Sequence, residues 1–354
     1  MSTWMGNKLK ISVFGQSHSE TIGVNIEGIP AGTKISFLDV EDLLSRRKAK
    51  SDSFSTPRKE PDVPIFKSGI VDGVSLGETI SVIIENTNVK SKDYEKTKNL
   101  MRPSHADYSA RSKFGDSFDF RGGGQFSGRM TAPICIAGGI AKGILAEKGI
   151  KINAYISSIG RFEFGSYNDA GFIAPENGDA FALLSAEDKN TLNDYFLELR
   201  QGGDSVGGVI ECVVSGLSAG VGDAMFDSLE SKIASLGYGV PAVKCIEFGL
   251  GKDIAMMVGS NANDEFYYDN GVVKTYTNNN GGINGGISNG MPITFRVAIK
   301  PTPSIAKAQH TIDVEKQENA VIEIEGRHDV CIVPRAVPVI ESIAAIAILD
   351  SILD

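Results

Sequence analysis

Residues 22–32 read Ile-Gly-Val-Asn-Ile-Glu-Gly-Ile-Pro-Ala-Gly, and residues 208–220 read Gly-Val-Ile-Glu-Cys-Val-Val-Ser-Gly-Leu-Ser-Ala-Gly. Each stretch starts as a β-branched run typical of a strand and ends in a Gly-marked turn. An amphipathic helical pattern follows each one, and each half of the chain later carries a Gly-rich segment. This similarity indicates two related halves, at about 9–150 and 151–350, that share one core. Chance similarity of two strand–turn–helix units explains it nearly as well.

The other elements are predicted from hydrophobic periodicity. β-branched runs predict strands at residues 10–14, 23–27, 79–85, 152–156, 206–214, 242–248 and 293–299. Apolar spacing of three and four predicts helices at residues 38–50, 128–148, 186–199, 224–236 and 341–353. Because strands and helices do not alternate as regular βαβ units, we expect an α+β sandwich of layers and not a doubly wound parallel sheet. No Pro- or Ser-rich linker separates the halves, so residues 1–354 are predicted to form a single domain.

The composition is that of a globular protein with a large core. The 354 residues are 42% hydrophobic and 22% charged, and the formal net charge is −9. A chain this acidic is not expected to bind nucleic acid or an anionic membrane nonspecifically. Residues 1–7 lack the features of a signal peptide, and the apolar run 343–349 is too short to span a bilayer. The four cysteines are far apart and form no CxxC pair, which favours buried reduced thiols and a cytoplasmic location.

Three histidines lie in polar loops marked by Gly or Pro. They are His18, His105 and His328, each flanked by Ser, Arg or Asp. For any one of them a structural histidine is the simpler interpretation, but three in such settings favour an acid–base site, since imidazole titrates near neutrality. The chain has no HExxH and no His-x-His, so no metal site is predicted.

A basic segment stands out in this acidic chain. Residues 46–59 contain six Lys or Arg and one Asp, a local charge of +5. A solvated helix end would explain it, since cations favour a helix C-terminus. Other arginines, however, occur beside the Gly- and His-bearing loops, and guanidinium suits phosphate and carboxylate. These are Arg102, Arg121, Arg129, Arg327 and Arg335. Together the cations predict a site for a small, multiply charged anion.

Residues 121–131, Arg-Gly-Gly-Gly-Gln-Phe-Ser-Gly-Arg-Met-Thr, lead into a predicted helix. Glycines before a helix can offer backbone N–H groups to a phosphate. The spacing resembles a P-loop, but Arg129 replaces its lysine and Met130 replaces its Ser or Thr, so a Walker-type nucleotide site is not predicted. No Rossmann fingerprint is present either. Residues 300–304, Lys-Pro-Thr-Pro-Ser, could be a strand exit or a second phosphate clamp.

Taken together, these motifs resemble the chorismate synthase family. They occur in family order from about residue 9 to 350. The matching segments are 14–18 (Phe-Gly-Gln-Ser-His), 58–62 (Arg-Lys-Glu-Pro-Asp), 85–87 (Glu-Asn-Thr), 102–108 (Arg-Pro-Ser-His-Ala-Asp-Tyr), 121–124 (Arg-Gly-Gly-Gly), 281–288 (Gly-Gly-Ile-Asn-Gly-Gly-Ile-Ser), 300–302 (Lys-Pro-Thr), 326–329 (Gly-Arg-His-Asp) and 334–338 (Pro-Arg-Ala-Val-Pro).

The resemblance implies a layered β-α-β sandwich and a specific reaction. That reaction is the 1,4-trans elimination of phosphate from 5-enolpyruvylshikimate 3-phosphate to give chorismate, the last common step of the shikimate pathway to the aromatic amino acids. It requires reduced FMN without net redox change. We expect the flavin to be reduced by an outside source, with NADPH as an indirect reductant. The resemblance further implies a cytoplasmic homotetramer with neither nucleic-acid nor membrane partners.

The resemblance also assigns roles to individual residues. His18, with Ser17 beside it, would protonate the departing phosphate. His105 would keep the reduced flavin in its reactive protonation state, and Asp329 would relay the proton of flavin N5 with support from Ser127. Substrate anions would be bound by Arg47, Arg129, Arg327 and Arg335. Contacts to FMN would come from Gln125, Phe126, Ser127, Pro241, Ala242, Gly285, Lys300, Pro301, Thr302, Pro303, Ser304 and Arg327.

A few positions depart from the family pattern. Gln16 and Ser19 replace Glu and Gly around the first histidine, and residues 125–131 differ from the common Arg-Ser-Ser-Ala-Arg-Glu-Thr. Pro241 replaces a frequent Asn, and Ser53 replaces an Arg of the basic loop. Two other functions stay open at this point, the first because the same arginines and histidines would serve it and the second because of these departures. One is a phosphotransferase or phosphatase acting on a small metabolite, and the other is a noncatalytic homologue that binds flavin or an anion.

Overall fold

Two five-stranded sheets with helices between them make up the fold. The structure, a computed structural model, describes residues 2–50, 54–55, 60–87, 98–169, 172, 175, 178–324 and 328–353. In chain order the strands are β1 (Ser2–Met5), β2 (Lys10–Gly15), β3 (Thr21–Glu27), β4 (Ile65–Ser68), β5 (Ile70–Val71), β6 (Val74–Ser75), β7 (Ile80–Glu85), β8 (Lys151–Ile159), β9 (Phe162–Glu163), β10 (Gly208–Ser215), β11 (Val243–Phe248), β12 (Phe266–Asp269), β13 (Val272–Thr275), β14 (Ile283–Asn284), β15 (Ile287–Ser288), β16 (Ile293–Ile299), β17 (Gln309–Asp313) and β18 (Glu318–Ile322). The helices are α1 (Phe37–Arg47), α2 (Asp107–Phe114), α3 (Thr131–Glu147), α4 (Ala186–Gln201), α5 (Leu229–Tyr238), α6 (Gly259–Ala262) and α7 (Val333–Ile352).

Both large sheets are antiparallel throughout the described residues. Their strand orders are β1-β2-β3-β7-β4 and β11-β16-β10-β8-β9, so β3 and β10 are the central strands. Val24 lies opposite Val82 in the first sheet, and Cys212 lies opposite Phe295 in the second. The predicted α+β class is confirmed. The two similar stretches of the sequence lie in and after the two central strands, while the relation between the halves and the single domain stay predictions.

Helices α3 and α7 separate the two sheets. α3 packs on β2, β3 and β7, α7 packs on β8 and β10, and the two helices pack on each other. Small residues in α3 allow it to pack closely on α7 and on α1. A Cβ atom at Gly138 would lie 2.2 Å from Cβ of Ser342, and one at Gly139 would lie 2.5 Å from Cα of Val40 in α1. Both sheets therefore contribute to one apolar core around these helices.

One helical stretch has the length and composition of a membrane span. It is Gly128–Glu147, which comprises a short 3₁₀ turn and α3. Of its most apolar stretch of 18 residues, 78% is buried inside the protein. Because the sheets and helices around it cover that apolar surface, it is the central helix of the core.

The predicted elements largely form, and the errors have local causes. All seven predicted strands are present, with ends shifted by at most three residues. The helix predicted at 224–236 begins only at Leu229, because Ser228 caps it by accepting a hydrogen bond from the Ser231 amide. The helix predicted at 341–353 begins at Val333. Pro334 is tolerated there because amides of the first helical turn have no partner within the helix, so the missing N–H of proline costs no hydrogen bond. The helix predicted at 38–50 ends at Arg47, and α2 was not predicted.

The cysteines follow the prediction at three of four positions. Cys135, Cys212 and Cys331 are buried free thiols. Burial raises the pKa of Cys135 to about 11 and that of Cys331 to about 12, so both are unreactive. Cys245 is partly exposed, because β11 is the edge strand of its sheet.

Candidate active site

The loop between β2 and β3 carries Ser17 and His18. Both side chains are buried, with 1% and 8% of their surface exposed. The Ser19 hydroxyl lies 2.8 Å from the carbonyl oxygen of Gln16 and 2.6 Å from that of Thr21, and it accepts from the Gln16 amide at 2.8 Å. The serine that departs from the family pattern therefore closes the turn that presents the histidine.

The three glycines at 122–124 lie between two of the predicted histidines. All three have positive φ, which only glycine adopts without strain. A Cβ atom at Gly122 would lie 2.5 Å from both Cε1 of His18 and Oγ of Ser17, and one at Gly123 would lie 3.1 Å from Nε2 of His105. The glycines thus let His18 and His105 pack against adjacent residues of one short backbone segment.

His105 belongs to a compact polar network at the start of α2. Its Nδ1 atom lies 2.6 Å from Oδ1 of Asp107, and Arg102 donates to both Asp107 oxygens at 2.6 and 2.8 Å. Burial alone would raise the pKa of Asp107, but the hydrogen bonds from Arg102 and His105 hold it well below its usual value. The carboxylate is therefore ionised at neutral pH and orients the imidazole.

The same network reaches the predicted clamp at 300–304. Arg102 Nη1 donates to Oγ of Ser304 at 3.3 Å, and Nζ of Lys300 donates to the carbonyl oxygen of Ser104. The Lys300 amide in turn donates to the carbonyl oxygen of Ala242, which itself has a φ of +74°. Four segments that are far apart in sequence, around residues 102, 122, 242 and 302, therefore meet at one place.

His328 and Asp329 lie beside this network. Burial lowers the pKa of His328, and the positive charge of Arg102 lowers it further, while Asp329 opposes the shift. His328 is therefore neutral at pH 7. Its Nε2 atom is buried, and none of the described residues hydrogen-bonds to it. Asp329 accepts from Nη1 of Arg335 at 3.0 and 2.8 Å, which fixes that carboxylate at the start of α7.

A second cluster joins two predicted substrate arginines through one carboxylate. Asp62 is 2% exposed and accepts from Nη1 of Arg47 at 2.9 Å and from Nη1 of Arg129. Its φ of +46° is unusual for a residue other than glycine. Burial lowers the pKa of Arg47, Asp62 raises it, and the nearby charges of Arg335 and Arg129 lower it. Asp62 is thus the counter-ion that lets the guanidinium groups lie together in the interior.

Arg47 and Arg129 differ in how many of their guanidinium nitrogens already donate to protein oxygens. Every guanidinium nitrogen of Arg47 donates to the protein, to Thr131, to Asp62 and to the carbonyls of Gly128 and Arg129. Arg129 donates through Nε to Asn86 at 3.0 Å and through Nη1 to Asp62 and Glu60. Nothing in the described part of the chain accepts from Nη2 of Arg129. Arg129 is therefore the better placed of the two to bind an external anion.

Residues 125–127 lie at the edge of this site. Gln125 and Phe126 are exposed, and the Phe126 ring packs against Phe118 with centroids 5.9 Å apart. The Ser127 hydroxyl accepts from the Arg129 amide at 3.3 Å and so caps the short turn that carries this arginine. The family departures at 125 and 126 therefore fall on surface positions, and the position that organises Arg129 keeps a serine.

The remaining predicted residues have different positions. Gly285 lies in the tight turn between β14 and β15. The Asn289 amide donates to the carbonyl oxygen of Gly282, so this hairpin lies near the start of β16, whereas Lys300 follows the end of that strand. Pro241 is only partly buried, next to Ala242. Arg327, Ser53 and most of the second half of the basic segment lie outside the described residues.

Three polar residues at the centre of the network had no predicted role. Asp62, Asn86 and Asp107 all occur inside the quoted motifs, but the sequence shows no partner for them. The only local signal is Asp107, two residues after His105 and five after Arg102. No cluster of three or more His, Cys, Asp or Glu suited to a metal ion occurs among the described residues.

The chain is similar to chorismate synthases in both sequence and fold. Residues 9–353 match the family model for chorismate synthase. The chain is 42% identical over 356 residues to the chorismate synthase of Thermococcus kodakarensis, covering 98% of this chain and 97% of the relative. It is 43% identical over 354 residues to that of Pyrococcus abyssi, covering 98% and 97%. It also resembles a crystal structure of chorismate synthase with a TM-score of 0.75 and 27% identity, over 98% of this chain and 92% of that one.

Proposed function

The chain belongs to the chorismate synthase family, and we propose that the loops meeting at residues 122–124 carry its reaction together with reduced FMN. The enzyme is a lyase of the shikimate pathway that eliminates phosphate from 5-enolpyruvylshikimate 3-phosphate to give chorismate. The observation that carries the proposal is the packing of His18 against Gly122 and of His105 against the adjacent Gly123.

Departure of phosphate needs a cation and a proton donor at the leaving group. Arg129 offers a guanidinium nitrogen that no described residue occupies, and its fork suits phosphate oxygens. His18 lies on a turn locked by Ser19 and would give its proton to the leaving oxygen. Arg335, Arg327 and Arg47 are proposed to bind or balance the remaining substrate charges. For Arg47, whose nitrogens all face protein oxygens, that contribution is electrostatic.

The residues around Arg102 fit a flavin. Thr302 Oγ1 and His328 Nε2 are buried and find no hydrogen-bond partner among the described residues, as expected of groups that face a polar ring system. The proposed contacts are Gln125, Phe126, Ser127, Pro241, Ala242, Lys300, Pro301, Thr302, Pro303, Ser304 and Arg327, and the family resemblance adds Gly285, whose hairpin lies near the other end of β16. When bound, reduced FMN would supply the electron density that helps phosphate to leave.

The protein groups near that ring have distinct proposed tasks. His105, held by Asp107, would keep one imidazole nitrogen turned toward Gly123 and control protonation there. Asp329, held by Arg335, would accept and pass on a proton, with Ser127 supporting the network. Because neutral His328 adds no charge beside Arg102, the local positive charge stays with the arginine.

The decisive test is an anaerobic assay for chorismate with the purified protein. We expect product with chemically reduced FMN and none with oxidised FMN. Phosphate release without flavin would favour a phosphatase, and flavin binding without chorismate would favour a noncatalytic homologue. His18→Ala should lower kcat by about 100-fold or more while the Kd for FMN stays within about twofold. Addition of NADPH with a separate reductase should replace the chemical reductant.

Self-association into a homotetramer is part of the same proposal. The family resemblance carries this part, and the described surface also exposes several large apolar side chains. Met225, Phe226, Met256 and Tyr268 are 80%, 90%, 89% and 78% exposed. Light scattering on the purified protein would give the mass in solution. A monomer at micromolar concentration would contradict this part of the proposal. A cytoplasmic location, also proposed, is testable by cell fractionation.

A further inference from the structure

Asn86 joins the loop that carries His18 to the arginine proposed to bind the leaving phosphate. It is the first residue after β7, and its Nδ2 atom donates to the carbonyl oxygens of Gln16 at 3.3 Å and Ser19 at 2.8 Å. On the other side its Oδ1 atom accepts from Nε of Arg129 at 3.0 Å. One side-chain amide therefore spans two elements that are otherwise carried by different parts of the fold.

We propose that Asn86 is a positioning residue that sets the distance between His18 and Arg129. The inference rests on the proposed roles of those two residues. A proton donor and an anion ligand must reach the same leaving group, so their separation is critical, and a displacement of about 1 Å can cost about 100-fold in rate. His18 lies on the β2–β3 loop, whereas Arg129 lies just before α3, and Asn86 bonds to both.

The chemistry of this position specifies an amide. A carboxamide can donate to two carbonyl oxygens while accepting from a guanidinium, whereas a carboxylate accepts only. Asn86 is itself held in place, because its backbone N–H donates to the carbonyl oxygen of Glu20 at 2.9 Å next to the last paired residues of β3 and β7. A side-chain substitution would leave that backbone bond intact.

Two substitutions separate the two halves of the link. Asn86→Asp keeps an acceptor for Arg129 but places a carboxylate oxygen against the carbonyls of Gln16 and Ser19. Asn86→Ala removes both halves. Asn25→Asp is the matched control, since Asn25 is also partly buried in the first sheet and its side chain accepts from the Ser81 hydroxyl at 2.7 Å, with no other side-chain hydrogen bond to the described residues. Each variant would be assayed anaerobically with reduced FMN for kcat, KM, FMN Kd and Tm.

We expect a split between kcat and KM. Asn86→Asp should lower kcat by about 10- to 100-fold with KM within about threefold, because the His18 loop shifts while Arg129 stays bound. Asn86→Ala should lower kcat similarly and also raise KM by about tenfold. The control should stay within about twofold, and all variants should bind FMN like the wild type.

Three results would overturn the inference. The first is kcat and KM within twofold of the wild type in both Asn86 variants, while His18→Ala and Arg129→Lys are impaired. This result would show that Asn86 does not position His18 and Arg129, and it would leave the proposed function standing. The second is a loss in both variants that follows FMN affinity or Tm alone, which would make Asn86 merely structural. The third is normal turnover in His18→Ala and Arg129→Lys, which would remove the proposed roles and the inference together.

Discussion

The Nδ1 atom of His105 lies 2.6 Å from Oδ1 of Asp107, in a network that Arg102 completes by binding both carboxylate oxygens. The same Nδ1 atom also lies 3.1 Å from Nη2 of Arg102, so the imidazole is held on that edge while Nε2 lies on the side facing Gly123. The orientation of His105 is therefore decided by a carboxylate two residues further along the chain.

Asp107→Asn should disturb the reaction through His105. Without the negative charge the imidazole loses its orienting partner, and we expect kcat to fall by about 10- to 100-fold and the pH–rate profile to shift. Steady-state kinetics over a range of pH would measure both. Asp313→Asn is a suitable control, because Asp313 is buried to a similar degree (8% exposed against 7%) and accepts from its own turn. An unchanged profile in Asp107→Asn would show that His105 does not depend on this carboxylate.

Asp62→Asn should destabilise the protein strongly. It would leave Arg47 and Arg129 buried side by side without their shared counter-ion, a change that typically costs about 3 to 5 kcal/mol. The free energy of unfolding in urea measures this cost. Asp72→Asn is the control, since Asp72 has a similar φ of +48° but is exposed. Equal stability of the two variants would mean that Asp62 does not balance the arginines.

Gly122→Ala should impair both folding and turnover. The positive φ costs about 1 to 2 kcal/mol for a residue with a side chain, and the new methyl group would collide with His18 and Ser17. Gly149→Ala provides the comparison, because its φ is +77° but nothing lies within 4 Å of the added atom. It should lose stability and keep its kcat. If the two variants were equally active, Gly122 would not be packed against the catalytic loop as described.

His328 should make stability depend on pH. Its pKa is lowered from 6.5 by burial and by Arg102, so the unfolded chain binds this proton more readily than the folded one. The stability from neutral His328 is therefore present above about pH 6.5 and is lost as the pH falls through the folded-state pKa. Urea unfolding between about pH 7.5 and pH 5.5 should show a steeper fall in the wild type than in His328→Gln. Identical slopes would exclude this contribution.

Local patterns in the sequence predicted much of the fold. The strands at 10–14, 79–85 and 293–299 were found because alternating apolar side chains are a short-range signal. The first eight residues of α7 were missed, since Pro334 and Pro338 suggest a break unless the helix is known to start at Val333. The short hairpin of β14 and β15 was missed because two-residue strands carry almost no periodic signal.

In the candidate site, too, some residues are predictable from local sequence patterns and others are not. His18, His105 and Arg129 are predicted from the sequence because reactive residue types in loops marked by Gly or Pro are a local signal. Asp62 and Asn86 have no predicted role, since their partners lie up to 70 residues away. Asp107 has no predicted role although its partners are local, because the spacing alone does not show that its carboxylate bonds to His105 and Arg102. The placement of Gly285 with Lys300 at the flavin rests on the family resemblance alone and stays a prediction.

The sequence alone determined the kinds of element, the reactive side chains and the family, because these depend on residue type and on spacing over short distances. Tertiary structure alone decided that Asp62 bridges two arginines, that Asn86 joins the His18 loop to Arg129, and that glycines 122 and 123 lie between two histidines. Those relationships arise only when two sheets close around α3 and α7, since burial then obliges each charge and each amide to find a partner.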